Sequence, residues 1–210
     1  MPTSPTVGIA HRFFTIFLAR FALMTLHEFP APEAWLEAMV AGWEALGGPA
    51  LKARGTFNVS LSGGSTPKPL YQRLAKLSWP WSATHLYLGA ERSVEPDHTG
   101  TNLGDPPRFD LVLLGIGDDG HTSSLFPETA ALKETKLLMA PNFVPKLGVW
   151  RVTSTYTLLR YARAVWFVTR GPSKEPYIRA LSADDSSASF PAAKVRSDRG
   201  TVEIYHCTAP

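Results

Sequence analysis

Hydrophobic residues recur at helical spacing in the first part of the chain. Apolar side chains three or four positions apart run from Trp35 to Leu46, just after Pro32, which is a favoured residue in the first turn of a helix. Gly47-Gly48-Pro49 follows, and this combination is typical of a helix end. The pattern predicts an amphipathic helix from residue 32 to about residue 46.

Short segments with the pattern of strands follow. In residues 56–61 apolar and polar side chains alternate, and a glycine-rich loop leads from this segment into helical spacing at residues 70–77. Further strands are predicted at residues 84–89, 109–116, 149–153, 164–169 and 201–206, with helical segments between most of them.

This alternation of strands and helices is typical of a parallel sheet with helices on both faces. Residues 109–117, FDLVLLGIG, are apolar almost throughout, as expected for a central strand that is buried on both faces. The predicted fold class is α/β, with a mostly parallel, doubly wound (Rossmann-like) sheet in one domain over residues 24–210. Ligands bind such sheets beyond the carboxyl ends of the strands, which directs attention to loops 62–67, 90–102 and 117–124.

The composition indicates a folded domain and argues against some classes of binding partner. Hydrophobic residues make up 44% and charged residues 19% of the 210 positions, which excludes a disordered chain and a coiled coil. The net charge is +3, and the basic residues are scattered rather than clustered, so no nucleic-acid partner is predicted. Cys207 is the one cysteine, so no intrachain disulfide forms and a reducing compartment, the cytoplasm, is expected. A monomer is expected as well.

Residues 1–23 contain an apolar run at 13–19 that Arg20 ends after seven residues. A membrane span needs about 20 apolar residues, so no transmembrane helix and no membrane partner are predicted. Met24 offers a second start that leads into the first predicted helix. We expect residues 1–23 to be an extension outside the fold, with a secretory signal peptide as the alternative.

Loop 62–67 has the residues of a phosphate-binding turn. Gly63 and Gly64 permit close backbone approach, while Ser65 and Thr66 supply hydroxyl groups and helix caps at the start of the next helix. The loop lacks the lysine of a P-loop and the spacing of a dinucleotide fingerprint, so no nucleotide is implied. A plain turn from strand to helix is the alternative.

Loop 117–124 places His121 beside Asp118 and Asp119, just after the most apolar strand. Histidine suits proton transfer near neutral pH, and a carboxylate can fix the tautomer of its ring. The alternatives are a histidine that caps a helix, or a metal site, for which three clustered ligands without a fourth are a weak signal. Glu91 and Arg92 belong to the charged second loop, whereas His85 and His206 lie in predicted strands and are expected to be structural.

Three segments resemble the conserved blocks of the 6-phosphogluconolactonases: LSGGSTPKPLYQRLA at 61–75, ERSVEPDHTGTN at 91–102 and FDLVLLGIGDDGHTSSLFP at 109–127. A weaker similarity continues over residues 150–181. Glucosamine-6-phosphate deaminases resemble the chain less well. They share the fold, the glycine loop and a Gly-His turn, but their histidine precedes an Ile-Ala-Phe-Asn-Glu-Pro-like run, where His121 precedes Thr-Ser-Ser-Leu-Phe-Pro.

The resemblance implies hydrolysis of 6-phospho-D-glucono-1,5-lactone without a metal or other cofactor. His121 is then the catalytic base, with Asp119 as the candidate that orients it and backbone N–H groups around Gly117–Gly120 as candidates to hold the oxyanion. The residues implied to surround the sugar phosphate are Gly63, Gly64, Ser65, Thr66, Arg92, Arg151 and Lys174.

The chain departs from this family at two places. Ala90 stands where the family usually has Asp, and Glu91 is the nearest carboxylate that would compensate. Only residues 103–108 separate the second block from the following strand, where family members carry a helix. A sugar-phosphate binding protein without catalysis, a deaminase-like isomerase and a metal-dependent esterase are therefore the alternatives to a lactonase.

Overall fold

A computed structural model of the chain describes residues 24–92, 108–183 and 187–210, with Arg92 described by its backbone alone. The strands in these ranges are β1 Thr25–Phe29, β2 Phe57–Leu61, β3 Thr84–Leu88, β4 Ala90–Arg92, β5 Leu111–Leu114, β6 Met139–Val144, β7 Val149–Ser154, β8 Ala164–Arg170 and β9 Thr201–Cys207. The helices are α1 Pro32–Arg54, α2 Lys68–Leu74, α3 Tyr156–Tyr161 and α4 Glu175–Ser182.

Six strands form one sheet in the order β1-β9-β8-β5-β2-β3, and every pairing in it is parallel. This arrangement confirms the predicted α/β fold class. The chain leaves β2 toward β3 on one side and later leaves β5 toward β8 on the other side. The carboxyl ends of β2 and β5 therefore flank a topological switch point, where α/β sheets bind their ligands.

Both faces of this sheet are covered, and β5 shows why its sequence is apolar throughout. Leu111 and Leu113 pack in the cluster that includes residues of α1 and α2, whereas Val112 and Leu114 pack in the cluster that includes α3 and α4. All four side chains are at most 1% exposed. Alternate residues thus serve opposite faces of the sheet, and neither face tolerates a polar side chain at this strand.

The predicted end of the first helix is wrong. α1 runs through Gly47-Gly48-Pro49 to Arg54 and ends at Gly55, which has a φ of 73°. Gly47 is buried, and a Cβ atom there would lie 2.5 Å from the Trp79 ring. This glycine makes room for a tryptophan rather than stopping the helix, because packing of the buried face outweighs local propensity.

The strand predicted at residues 149–153 is present, but it does not belong to the parallel sheet. Its counterpart β7 is the middle strand of a separate antiparallel sheet with the order β4-β7-β6. The predictions omit β1, β4 and β6. The reasons are that β4 has three residues, β1 is an edge strand, and β6 includes Pro141 and Asn142, which are uncommon in strands.

The predictions for residues 1–23 and for most of the second loop concern positions outside the described ranges and stay predictions. The assignment of residues 24–210 to one domain stays a prediction as well. Within the described ranges, no helix has the length and apolar character needed to cross a membrane.

Candidate active site

A cleft of about 600 Å³ lies at the carboxyl ends of β2, β5 and β8. Its lining includes most of the residues that the sequence marked as candidates: Gly63, Gly64, Ser65, Thr66, Glu91, His121, Arg151 and Lys174. Three separate loops of the sequence therefore meet at the predicted edge of the sheet.

A tight turn over residues 117–121 carries the histidine. The Gly117 N–H donates to the His121 carbonyl at 2.9 Å, and the Gly120 N–H donates to the Gly117 carbonyl at 3.1 Å. A Cβ atom on Gly117 would lie 2.0 Å from Cε1 of His121, so the imidazole occupies the space that any side chain at this position would fill. The Gly117 and Gly120 N–H groups are engaged within the turn, so these two do not hold an oxyanion; for the N–H groups of Asp118 and Asp119 the expectation stays a prediction.

Asp119 is the hydrogen-bond partner of the His121 ring. Oδ1 of Asp119 lies 2.5 Å from Nδ1 of His121 and also accepts the His121 backbone N–H at 3.2 Å. Phe126 stacks on the ring with 3.9 Å between the ring centroids. An ionised carboxylate accepts hydrogen bonds and donates none. Nδ1 of the neutral His121 ring therefore carries the proton, and Nε2 keeps a lone pair that can accept a proton.

Lys146 binds the other oxygen of the same carboxylate, with 2.8 Å between Nζ and Oδ2 of Asp119. Burial opposes ionisation of Asp119, but hydrogen bonds from Lys146 and His121 outweigh it and hold the pKa of Asp119 far below its usual range. The same hydrogen bond raises the pKa of Lys146. No local sequence pattern marks Lys146 as a site residue, because only the tertiary structure brings it to the loop.

Lys174 lines the cleft and is paired with Asp118. Its ammonium group hydrogen-bonds Oδ1 of Asp118, and the side chain of Lys174 is 16% exposed. This hydrogen bond lowers the pKa of Asp118. The Tyr177 hydroxyl donates to the Asp118 carbonyl at 2.6 Å, so the start of α4 is tied to the histidine turn. A ligand that takes Lys174 must share it with this carboxylate or displace it.

The glycine loop is open to the cleft. Gly64 has a φ of +94°, and a Cβ atom on Gly63 or Gly64 would meet no atom within 4 Å. The Tyr71 hydroxyl of α2 donates to the Ser62 carbonyl at 2.7 Å and so connects the loop with this helix. The expectation that Ser65 or Thr66 caps the helix is wrong, because α2 begins after Pro67 with no side-chain cap.

Strands β4 and β7 form another wall of the cleft. Their antiparallel register places Ala90 opposite Thr153 and Arg92 opposite Arg151. The backbone of Arg92 is thus beside the cleft, while its side chain lies outside the described atoms. Nε of Arg151 is buried and has no hydrogen-bond partner in the described part of the chain, and its guanidinium lies 5.9 Å from the Phe126 ring centroid.

The two other histidines in predicted strands do not line the cleft. His85 is exposed on β3. His206 is fully buried, with Nδ1 3.0 Å from the Thr169 hydroxyl. His85 is thus an edge residue and His206 a core residue, as predicted. Over residues 24–92, 108–183 and 187–210, no group of three or more His, Cys, Asp and Glu side chains is arranged to hold a metal ion.

The described lining of the cleft combines a base with an excess of positive charge. The lining includes three cationic side chains, those of Arg151, Arg170 and Lys174, and one carboxylate, that of Glu91. Arg170 was not predicted, because it ends a strand that reads as structural. This charge balance favours an anionic ligand, and His121 with an acceptor at Nε2 can remove a proton from a water molecule beside it.

The sequence is similar to a known protein family and to individual proteins in it. A family model for glucosamine-6-phosphate isomerases/6-phosphogluconolactonase matches residues 30–106 and 102–204. The 6-phosphogluconolactonase of Nostoc sp. is 35% identical in an alignment that covers 65% of this chain and 77% of that protein. The 6-phosphogluconolactonase of Chlamydia muridarum is 30% identical in an alignment that covers 78% of this chain and 80% of the relative.

The fold is similar to solved structures as well. A 6-phosphogluconolactonase from Shewanella baltica superimposes with a TM-score of 0.74 at 27% identity, covering 89% of this chain and 98% of the other. The two segments matched by the family model meet at residues 102–106, close to the short segment that follows the second block. On this evidence the chain belongs to the glucosamine-6-phosphate isomerase/6-phosphogluconolactonase family.

Proposed function

We propose that the protein hydrolyses 6-phospho-D-glucono-1,5-lactone to 6-phospho-D-gluconate, as a cytoplasmic enzyme of the pentose phosphate pathway. The observation that carries this proposal is His121, held by an ionised Asp119, in a cleft whose other charged groups are mostly cationic. The similarity to proteins named 6-phosphogluconolactonase supports the choice of substrate.

The reaction uses His121 twice. Neutral His121 takes a proton from water at Nε2, and the resulting hydroxide adds to the lactone carbonyl to give a tetrahedral oxyanion. When this intermediate collapses, the bond between the carbonyl carbon and the ring oxygen breaks, and the imidazolium returns the proton to that oxygen. Asp119 stabilises the imidazolium between the two steps, because its negative charge lies beside Nδ1.

The phosphate binds away from the reacting carbonyl. We assign it to the cationic residues Arg151 and Lys174 of the cleft lining, with the backbone of residues 63–66 around it. Arg92 is a further ligand that the family resemblance implies. Contacts to the phosphate orient the lactone, and this binding energy is used to place the ester beside His121 rather than for the chemistry itself.

One observation favours a second candidate, a sugar-phosphate binding protein without catalysis. The methyl group of Ala90 lines the cleft at the position where the resembled family usually has a carboxylate. In the lactonase proposal Glu91, which also lines the cleft, supplies the negative charge instead. Glu91→Gln then lowers turnover, whereas Ala90→Asp leaves it nearly unchanged.

Two measurements on the purified chain separate these functions. The first is hydrolysis of freshly generated lactone, corrected for spontaneous hydrolysis, and the second is calorimetric binding of 6-phosphogluconate. A lactonase shows both turnover and binding, and binding without turnover identifies the second candidate. Release of ammonia from glucosamine 6-phosphate would identify a deaminase-like isomerase instead.

A further inference from the structure

Lys146 reaches the histidine turn from a different part of the molecule. It lies in the short turn Pro145–Leu147 between β6 and β7, the hairpin of the small antiparallel sheet. The Gly148 N–H closes this turn on the Val144 and Pro145 carbonyls at 2.9 and 3.1 Å. The hydrogen bond from Lys146 to Asp119 therefore connects the small sheet with the turn that carries His121.

Asp119 divides its two oxygens between two partners. Oδ1 faces the His121 ring and Oδ2 faces Lys146. A carboxylate held at one oxygen can still rotate about its χ2 angle, whereas one held at both oxygens keeps its plane. Lys146 thus fixes the direction in which Asp119 accepts from Nδ1, and hence the direction in which Nε2 points.

The positive charge of Lys146 also acts on His121. It neutralises part of the Asp119 charge, which on its own would favour the protonated imidazole. In the part of the chain that the structure describes, the other charged or titratable groups on the turn, beside it or in the cleft lining are Asp118 on the turn itself, Lys174 and Tyr177 from the start of α4, Arg151 from β7, Glu91 from β4 and Arg170 from β8. Among the described residues, Lys146 is the one cation that hydrogen-bonds Asp119.

Lys146 is placed to act through Asp119 rather than on the substrate. Its side chain is 63% exposed, and it is not among the residues that line the cleft. A lysine that bound the phosphate would have to line the cleft, as Lys174 does.

We propose that Lys146 is a positioning residue for the lactonase reaction, which holds Asp119 in line with His121 and keeps His121 neutral at lower pH than Asp119 alone would allow. This inference rests on the proposed function. It makes the hairpin turn part of the catalytic apparatus although no atom of Lys146 touches the substrate.

The test compares Lys146→Met, Lys146→Arg and the wild type in the pH dependence of kcat/KM between about pH 5 and 9. Lys146→Met removes the charge with little change in volume, so its activity should fall about 10-fold through misplacement of His121. The midpoint of its acid limb should rise by on the order of half a pH unit, because the imidazolium is no longer opposed by an ammonium group. Lys146→Arg should restore both properties. Lys133→Met is the matched control, since Lys133 is an exposed lysine in another short turn and should change neither.

Two results would overturn the inference. One is a Lys146→Met enzyme that loses thermal stability or activity while its acid limb stays in place, which marks a purely structural contact. The other is a rise in KM alone, which marks a substrate ligand. NMR titration of the His121 ring in the same variants needs no turnover, so an upward shift of its midpoint supports the inference even if the wild type proves inactive toward the lactone.

Discussion

At the scale of single residues, the site depends on one carboxylate with two different neighbours. Asp119 accepts from the His121 ring and from the Lys146 ammonium group, and the latter hydrogen bond is the strongest reason for its lowered pKa. Asp119 is therefore ionised throughout the neutral range, and its own protonation does not contribute to activity changes above about pH 5. The proposed mechanism therefore predicts that the acid limb of the rate profile does not arise from Asp119.

Asp119→Asn tests this assignment and should act in the direction opposite to Lys146→Met. Without the carboxylate the imidazolium loses its stabilising charge, so the acid limb moves to lower pH. The maximal rate falls by about 10-fold or more, because Asn does not favour one tautomer of His121 as strongly. Rate profiles of kcat/KM measure both effects, and an unchanged acid limb with an unchanged maximum would remove Asp119 from the mechanism.

Lys174 offers a second prediction at this scale, because its ammonium group is shared with Asp118. Lys174→Ala should weaken the binding of 6-phosphogluconate by roughly 10- to 100-fold, the worth of one charge-assisted contact to phosphate. Asp118→Asn should leave binding unchanged or make it tighter, because Lys174 is then free for the ligand. Calorimetry measures both, and equal affinity in wild type and Lys174→Ala would place Lys174 outside the phosphate site.

At the scale of elements, two adjacent glycines in α1 have opposite roles. A Cβ atom on Gly47 would meet the Trp79 ring at 2.5 Å, whereas one on Gly48 would meet no atom within 4 Å. Gly48→Ala should therefore stabilise the protein by about 0.5–1 kcal/mol, since alanine is the better helix former. Gly47→Ala should destabilise it by about 1–3 kcal/mol through overpacking. Urea unfolding of the two variants checks the contrast, and two equal effects would contradict the packing of α1 on Trp79.

The same helix shows how far sequence pattern predicts this fold. The pattern of apolar residues predicts α1, β2, β3, β5, β8 and β9 in their order along the chain. In β5 and β8 it reflects burial on both faces, whereas Leu86 and Leu88 of the edge strand β3 are exposed. The end of α1 and the antiparallel partners of β7 are not predicted, since they depend on contacts with Trp79 and on pairing between distant segments.

Prediction of the site from the sequence is also limited to what local patterns show. His121, Asp119 and the glycine loop follow from local sequence and from the rule that ligands bind at the carboxyl ends of strands. Lys146 and Arg170 were missed, because a single lysine in a turn or an arginine at the end of a strand carries no local signal. The structure brings Lys146 to Asp119 through the hairpin of the small sheet, and it brings Arg170 to the cleft at the end of β8.

At the scale of the whole molecule, the cleft lies between the two sheets. The parallel sheet supplies the glycine loop and the histidine turn, and the antiparallel sheet supplies Ala90, Glu91 and Arg151 as one wall. The ion pair between Lys146 and Asp119 connects the hairpin of the antiparallel sheet with the histidine turn. The relative position of the two sheets therefore determines the shape of the cleft.

Residues 1–23 precede the strands and helices that build the cleft, since β1 begins at Thr25. Removal of these residues should leave both the melting temperature and the rate of lactone hydrolysis unchanged. Thermal unfolding and the lactone assay on the shortened chain check this prediction. A large fall in melting temperature would show that residues 1–23 pack on the domain.

The central claim is that His121 performs the chemistry in this cleft, and the rate of lactone hydrolysis by His121→Ala tests it most directly. His85→Ala is the matched control, because His85 is exposed on the edge strand β3. The account predicts that His121→Ala, folded by circular dichroism, loses roughly 10²- to 10⁴-fold of the rate above spontaneous hydrolysis, while His85→Ala keeps the wild-type rate. A folded His121→Ala protein with near-wild-type turnover would contradict the account.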